Sequence, residues 1–543
     1  MSLIYSGAFS SEAPEVVNKR YRPVVLVILD GWGINTEIEG NAIANSKTPI
    51  FNFLKGNYPC VALQASGISV GLAWGEPGNS EVGHMTIGSG MIMYQNLPRI
   101  NLAIQNGSFF SSTAIIDTMN RAKMKGSALH FLGLVSNGGV HSHIDHLFAL
   151  LELAVSRGNN KIFVHVITDG RDTLTQAGAG FVKSLEEKLQ SLGAGKIASI
   201  SGRNWTMDRN QNWDRIEKGY DAIMGDCPNK AKSSAEVIAE AYKQNLSDEF
   251  IEPHVIIDEM GTPVGSLQKG DSLIFFNFRE DRARQITTAL TDPAFSGFKR
   301  KRIAEDVEVL TMVEYESNLK VKVAFPPQKI ESSLSKILSE NNKTQFHIAE
   351  TEKYAHVTYF FNGGIEEPYP GEERTLVPSP QVNSYEQTPE MSAAGITEKL
   401  LARMATQKDD FILVNYSNAD MIGHTGNFEA AKKAVETVDF CLGKVLKAGL
   451  PLGACFLVTA DHGNAEFMKD IKTGEKVTEH TNNPVPLFFV TPDNKKERTE
   501  AQIMRHQNMV DGMLVDIAPT VLELLNIPVP TDMVGSSLLK VLK

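Results

Sequence analysis

The chain has only four cysteines in 543 residues, Cys60, Cys227, Cys441 and Cys455, and no two of them stand in CxxC spacing. That argues against a zinc ribbon or a disulfide scaffold and fits a reducing compartment. No apolar run reaches the roughly 18 residues a membrane helix requires. The first twenty residues, MSLIYSGAFSSEAPEVVNKR, contain acids and a proline but no long apolar core, so they do not read as a signal peptide. The expectation is a cytoplasmic protein with no membrane segment. Excess positive charge is also missing. A formal net charge of −11 argues against a general nucleic-acid or anionic-membrane surface, while leaving room for a local basic pocket. Internal repeats and low-complexity tracts are absent. What remains, 42% apolar and 22% charged residues, is an ordinary globular composition, and the length calls for two to four domains.

One pattern recurs along the chain. A short, β-branched apolar run ends abruptly in polar and glycine residues, as in VVLVILDGWG (24–33), LHFLGLVSNGGVHSH (129–143), IFVHVITDGRD (162–172), SLIFFNFREDR (272–282), DFILVNYSNAD (410–420) and ACFLVTADHGN (454–464). Such runs read as strands buried on both faces. Amphipathic helices lie between them: in AGFVKSLEEKLQSLG, Phe181, Leu185, Leu189 and Leu192 share one face and Gly193 is the stop signal. The alternation predicts an α/β protein with parallel sheets and ligands at the carboxyl ends of the strands. Proline-bearing passages at YQNLPRINL (94–102) and VAFPPQKIESS (323–333) read as crossings between domains. We therefore expect residues 95–327 to form an inserted domain and residues 1–94 plus 328–543 to pair into a second one. KDIKTGEKVTEHT reads as a solvated loop.

The split domain collects hard and borderline metal ligands. Asp30 ends the first strand. Asp420 and His424, four apart in NADMIGHTG, would face a common centre from one helical turn or a tight loop. Asp461 and His462 are adjacent in TADHGN, and His480 follows in EHTNNPVP. Three Asp and three His suit two divalent ions of the Mn, Zn, Co or Mg type. Two such metals are what phosphoryl or sulfuryl transfer uses. EPGNSEVGHM (76–85) holds one serine among glycines. Ser80 could be a helix cap, but position +3 is Gly83, so there is no capping box. Gly78 and Asn79 would let the backbone approach a phosphate, and a helix starting at Ser80 would aim its dipole at that anion. A metal could hold the alkoxide, so nucleophile is the better reading.

The inserted domain is rich in arginine: Arg171 beside Asp172 in DGRD, Arg203 in SGRNW, Arg209 in MDRN, and Arg279 and Arg282 in FREDRAR. In an acidic protein such forks suit carboxylates or phosphates, although surface pairing with neighbouring aspartates is the alternative for each one singly. HSHIDH (141–146) matches HxHxDH, a dinuclear zinc signature, but the later ligands that fold needs are missing. His141 is read as a substrate contact, and His143 and His146 as the opening of a helix.

Ten ordered motifs then identify a resemblance: LDGWG, GNSEVGH, GGVHSHI, DGRD, MDR…WDR, FNFREDRARQ, AETEKYAHVTYFFNGG, NADMIGHTG, TADHGNAE and NNPVP. From about Val24 to the C-terminus the chain resembles the cofactor-independent (2,3-bisphosphoglycerate-independent) phosphoglycerate mutases of the alkaline-phosphatase superfamily. The resemblance implies a phosphatase-like domain carrying an inserted phosphotransferase domain, with the substrate between them. It implies one metal on Asp420, His424 and His480, and a second on Asp30, Asp461, His462 and the Ser80 oxygen, most commonly manganese. Ser80 would take the phosphoryl group of 3-phosphoglycerate, and the retained glycerate would be rephosphorylated at its other hydroxyl, with no bisphosphoglycerate added. Arg279 and Arg282 would grip phosphate, and Arg203 and Arg209 the carboxylate end. His141, Arg171 and Asp172 would contact the glycerate hydroxyls, with Asp172 as general base, and Lys353 in ETEKY would stabilise charge on the travelling group. The family also implies a monomer acting on a small molecule in glycolysis and gluconeogenesis. Enzymes of the same superfamily, a metal-dependent phosphatase or a phosphopentomutase, are the alternative. Pro77 stands where the family usually has methionine, Met91 where a basic residue is common, and SNGGVH replaces SDGGVH; none of these removes a residue given chemistry here. The stretch before Tyr21 lies outside the resemblance and is assigned no role.

Overall fold

The computed structural model describes residues 21–542, so the N-terminal stretch read above as carrying no signal peptide lies outside the described residues. The chain divides into two compact units: one is Tyr94–Lys329, the other combines the segments up to Met93 and from Ile330 onward.

All six apolar runs form strands: Val24–Leu29, Leu129–Leu134, Ile162–Thr168, Ser272–Phe275, Phe411–Tyr416 and Cys455–Thr459. Each unit is built on an eight-stranded sheet. In the split unit the centre is Val24–Leu29, paired in parallel with Phe411–Tyr416 on one side and Cys455–Thr459 on the other, and all three are buried along their whole length. Register then does what sequence separation hides. Ile28 lies opposite Thr459. Two residues further on, Asp30 and Asp461 therefore leave neighbouring strands at the same level, one strand spacing of about 4.8 Å apart.

The sheets are not purely parallel. Val485–Val490 runs antiparallel to both Cys455–Thr459 and Cys60–Gln64. No helix connects it to the strand before it. The chain leaves Thr459, stays at the carboxyl edge through residues 460–484, and re-enters the sheet in the opposite direction. That return keeps His480 at the same edge as Asp461. The loop read as solvated is mostly exposed, as expected, but its last turn carries His480 inward. In the inserted unit, His254–Ile256 similarly runs antiparallel to Lys196–Gly202.

The helix read at AGFVKSLEEKLQSLG spans Gly178–Leu192 and stops at Gly193 in the left-handed region. Leu185 and Leu189 are buried; Val182 is buried alongside them, and Phe181 and Leu192 pack against the core at its edge. The four cysteines are free and buried. Among the described residues no helix is long and apolar enough to cross a membrane.

His143 caps the helix Ile144–Ser156 by accepting from the Asp145 N–H, and His146 is buried in its first turn. Burial, with the charge of His143, holds the His146 imidazole at about 3. An unfolded histidine titrates near 6.5. As pH falls below 6.5 the unfolded chain therefore gains a proton that the folded chain does not take until about pH 3. The folded state loses about 1.4 kcal/mol per pH unit in that window from this residue. His146→Gln, which can keep the bond to Asn101 Oδ1, is expected to remove that slope. Between pH 7.5 and 4.5 the variant should lose about 3 kcal/mol less stability than the wild type by urea denaturation. Parallel losses would show that His146 is not held neutral.

Candidate functional site

In the split unit, Ser80 opens the helix Ser80–Ser89 but does not cap it. Asn79 is the cap, its Oδ1 accepting from the Val82 N–H at 3.0 Å. The serine hydroxyl is thereby left for other contacts. It lies 2.9 Å from His462 Nε2 and 3.3 Å from Asp30 Oδ1, and it accepts from Lys353 Nζ at 2.6 Å. Lys353 also donates to Asp30 Oδ1 at 2.8 Å and Asp420 Oδ2 at 2.6 Å. All these groups are buried. Two glycines allow the close approach. At Gly31 (φ +74°) a Cβ would lie 2.6 Å from the Asp420 Cα, and at Gly83 one would lie 2.8 Å from the Asp461 carbonyl oxygen.

Asp420 and His424 lie one turn apart around the helix Asn418–Gly423, with Asp420 Oδ1 3.3 Å from His424 Nε2 and 3.1 Å from His480 Nε2. The two imidazoles face each other, Nε2 to Nε2, at 3.0 Å. Their Nδ1 atoms sit 2.8 Å from the Thr478 and Gly78 carbonyl oxygens, which can only accept, so each ring proton is on Nδ1. Two nitrogen lone pairs and a carboxylate oxygen thus point at one locus. His462 is oriented likewise, its Nδ1 3.3 Å from the Gly463 carbonyl and its Nε2 facing Ser80.

The charge balance points the same way. Three buried carboxylates, Asp30, Asp420 and Asp461, share one buried ammonium. Burial and the neighbouring Asp461 carboxylate raise the pKa of Asp30. For Asp420 and Asp461 burial pushes upward but is outweighed, by Lys353 and the histidines at Asp420 and by His462 and His84 at Asp461, so both stay ionised. Burial would depress the Lys353 ammonium, but Asp30 and Asp420 raise it further, so it stays charged. Asp461 Oδ2 is buried and makes no well-aligned hydrogen bond, with the His84 Nδ1 beside it at 3.2 Å. Convergent lone pairs, a poorly satisfied carboxylate oxygen and uncompensated negative charge are what divalent cations relieve. Asp420, His462 and His480 form one group able to hold an ion, and Asp30, His84 and Asp461 another.

Sequence reasoning missed three residues here. His84 lies one turn after Ser80. Its Nδ1 is 2.9 Å from the Ser80 carbonyl oxygen and 3.2 Å from Asp461 Oδ2, and its Nε2 accepts from Asn415 Nδ2, which also donates to Asp30 Oδ2 at 2.8 Å. The four-residue spacing to Ser80 was the available signal. Asn415 is the penultimate residue of a fully buried strand, with no motif of its own. Glu466, fully buried, accepts from the backbone N–H groups of Gly33 (3.0 Å) and Asn464 (2.8 Å), tying the loop after Asp30 to the loop after Asp461.

In the inserted unit a second cluster forms at the carboxyl edge. Arg203, almost completely buried, donates to Asp169 Oδ1 (2.7 Å) and Asp172 Oδ2 (2.6 Å). Arg209 and Arg279 both pair with Asp281, at 2.9 and 3.3 Å. His141 sits 4.0 Å from Asp172 and 3.7 Å from Asp281. Burial and Arg203 lower its pKa to about 4, so the ring is neutral at pH 7. Arg282 donates to the Met207 carbonyl, while Arg171 is more than half exposed beside Glu249. Arg203, Arg209 and Arg279 are thus paired with aspartates, and Asp169 and Asp281, which the sequence reading passed over, organise the cluster.

Comparison with known proteins adds identity to this geometry. Residues 100–317 match the family described as BPG-independent PGAM N-terminus. A 2,3-bisphosphoglycerate-independent phosphoglycerate mutase of Clostridium botulinum is 46% identical over 520 residues, covering 96% of this chain and 99% of the relative. The enzyme of the same name from Synechococcus is 48% identical over 518 residues, covering 95% and 96%. The crystal structure of Leishmania mexicana phosphoglycerate mutase at low cobalt concentration is 30% identical and covers 96% of this chain and 98% of its own, with a TM-score of 0.51.

Proposed function

The chain belongs to the 2,3-bisphosphoglycerate-independent phosphoglycerate mutases, isomerases that interconvert 3- and 2-phosphoglycerate, and we propose that it does so by passing one phosphoryl group onto and off Ser80. The observation that carries this reading is the set of contacts around the Ser80 oxygen: the His462 Nε2 lone pair, Asp30 and Lys353, at the N-terminus of a ten-residue helix capped by its neighbour. The inserted and split units are proposed to be the substrate-binding and phosphoryl-transfer domains.

The enzyme depends on divalent metal, and the residues present fit two ions, which we take to be manganese. Asp420, His424 and His480 would hold one, and Asp30, Asp461, His462 and the Ser80 oxygen the other. When bound, they supply the positive charge that lowers the proton affinity of the serine hydroxyl and draws charge from the phosphoryl oxygens. In the first half-reaction Ser80 Oγ gives up its proton and forms a bond to phosphorus as the bond from phosphorus to the C3 oxygen breaks, and that oxygen takes up a proton. In the second, the C2 hydroxyl loses its proton and attacks the same phosphorus, the bond to Ser80 Oγ breaks, and the serine regains a proton. Lys353 Nζ, already 2.6 Å from Ser80 Oγ, neutralises charge on the transferring group in both.

Asp172 is the proposed proton carrier on the glycerate side. Arg203 fixes its Oδ2, leaving Oδ1 for a hydroxyl. His141 and Arg171 would contact glycerate, Arg279 and Arg282 its phosphate, and Arg203 and Arg209 its carboxylate. Arg209 and Arg279 would exchange Asp281 for substrate, so each guanidinium stays paired with an anion. Holding glycerate while excluding water separates a mutase from a phosphatase. We place the enzyme in the cytoplasm, as a monomer working on a small-molecule substrate.

Purified enzyme with Mn²⁺ should interconvert the two phosphoglycerates with no 2,3-bisphosphoglycerate added. Chelation should reduce that activity to background and lower the melting temperature, since each ion at 100 times its Kd adds about 2.7 kcal/mol to the folded state. Release of inorganic phosphate in place of 2-phosphoglycerate would make the protein a phosphatase. Full activity in chelator would remove the metals from the account.

A further inference from the structure

The split unit contains a cavity of about 380 Å³ that the phosphoryl-transfer residues do not line. Its walls come from the loop at Gly33–Thr36, the helix Pro49–Asn57, the strand Val485–Val490 and the segment from Arg498 to Met504. That volume lies within the range that small organic ligands occupy. The apolar part is supplied by Ile43, Phe51 and Phe488, and Phe51 packs edge-on against Phe488 at 5.2 Å between ring centroids. Asn52 and Thr36, both exposed, mark the mouth.

The charges in it are of one sign. In a protein with a net charge of −11, no aspartate or glutamate among the described residues lines this cavity, while Lys55 and Arg498 both do. Among the described residues no carboxylate acts on the Lys55 ammonium: burial lowers its pKa, and the Cys60 thiol opposes that. Its place in the last turn of its helix accounts for a lysine there but not for its burial. Arg498 is fixed on the end of the same helix, donating from Nη1 to the Tyr58 carbonyl at 2.9 Å and from its backbone N–H to the Gly56 carbonyl at 2.9 Å. The charges of both cations bear on the Cys60 thiol at the cavity wall, but burial dominates and pushes that thiol up to about 12. Cys60 is accordingly inert, and the cations are not there to activate it.

A partly buried cation with no carboxylate beside it among the described residues, next to a second cation and over a pair of phenylalanines, is complementary to one kind of ligand. We propose that this cavity is a second ligand site, distinct from the phosphoryl-transfer centre, that takes a small organic anion with a flat apolar body. The anionic group sits between Lys55 and Arg498, and the flat body lies on Phe51 and Phe488. Its occupant also touches the segment at Gly33, whose N–H is held by Glu466, so the site borders the loop that begins at Asp30.

The test uses the full-length, metal-loaded enzyme and the aromatic sulfonate 8-anilinonaphthalene-1-sulfonate, followed by fluorescence titration. One molecule per chain is expected to bind, undisplaced by saturating 3-phosphoglycerate. Lys55→Met should weaken it at least about tenfold, since it deletes a charged contact. The uncharged analogue N-phenyl-1-naphthylamine should bind wild type and Lys55→Met equally. Asn52→Trp, which fills the mouth from the exposed face of the helix, should block both probes while leaving mutase activity unchanged, and it carries the test if the Lys55 variant fails to fold. Equal sulfonate affinity in wild type and both variants would overturn the proposal, as would displacement of the sulfonate by 3-phosphoglycerate.

Discussion

Ser80→Ala is expected to lose mutase activity by at least about 10⁴-fold in kcat while remaining folded. The size follows from what alanine deletes. Among the described residues no other hydroxyl shares contacts with Asp30, His462 and Lys353, so none of them can take over the attack on phosphorus. The fold should survive for a local reason. Asn79, not Ser80, caps the helix, and alanine is the better helix former at the position after a cap. Lys353 keeps two carboxylate partners, so no buried charge is stranded. The stability cost should stay near about 1 kcal/mol, the worth of one lost hydrogen bond. A variant that is inactive because it is unfolded would fail this prediction, and so would one that is folded and active. Thermal melting together with a coupled enolase assay separates the three outcomes.

Lys353→Met should lower kcat about 10³-fold, equivalent to about 4 kcal/mol of transition-state stabilisation. Two roles for this lysine make opposite predictions about turnover once metal is bound. If Lys353 only neutralised Asp30 and Asp420, its loss would leave an even more negative cluster that binds divalent ions more tightly, with turnover intact once they are bound. If it also bears on the transferring phosphoryl group, metal binding should hold or strengthen while kcat falls. Calorimetric titration of Mn²⁺ beside steady-state kinetics distinguishes them. Unchanged kcat at saturating metal would confine Lys353 to charge balance. Arginine should not rescue, because a planar fork cannot replace a compact ammonium that meets Asp30, Ser80 and Asp420 within 2.8 Å.

Much of this arrangement was legible because strands buried on both faces announce themselves. VVLVIL, FILVNY and CFLVT leave no room for a solvent face, and the residues that follow must emerge at the carboxyl edge. That placed Asp30, Asp461 and His462 in the right layer. The spacing of Asp420 and His424 did the same for one helical turn. Less visible was anything that depends on how a loop closes. Glu466 acquires its role only because residues 460–484 return antiparallel and bring Asn464 and Gly33 to its carboxylate, and no periodicity survives in such a segment. Asn415 and Asp281 were hidden differently. Each is a common strand-end or loop residue whose meaning lies in its partners, His84 and Asp30 for one, Arg209 and Arg279 for the other. The arginines of the inserted unit were visible as a cluster, but their resting partners were not: Arg203 lies buried against two aspartates.

The mechanism requires that the phosphoryl group rest on one named oxygen during turnover. Metal-loaded wild-type enzyme incubated with 3-phosphoglycerate and quenched in acid, where a phosphoserine ester survives, should yield on digestion a single phosphorylated peptide, GNSEVGHM at its centre, with the modification on Ser80 and none in the chelated control. Phosphate on any other residue, or an active enzyme whose Ser80 peptide never carries it, would contradict the account.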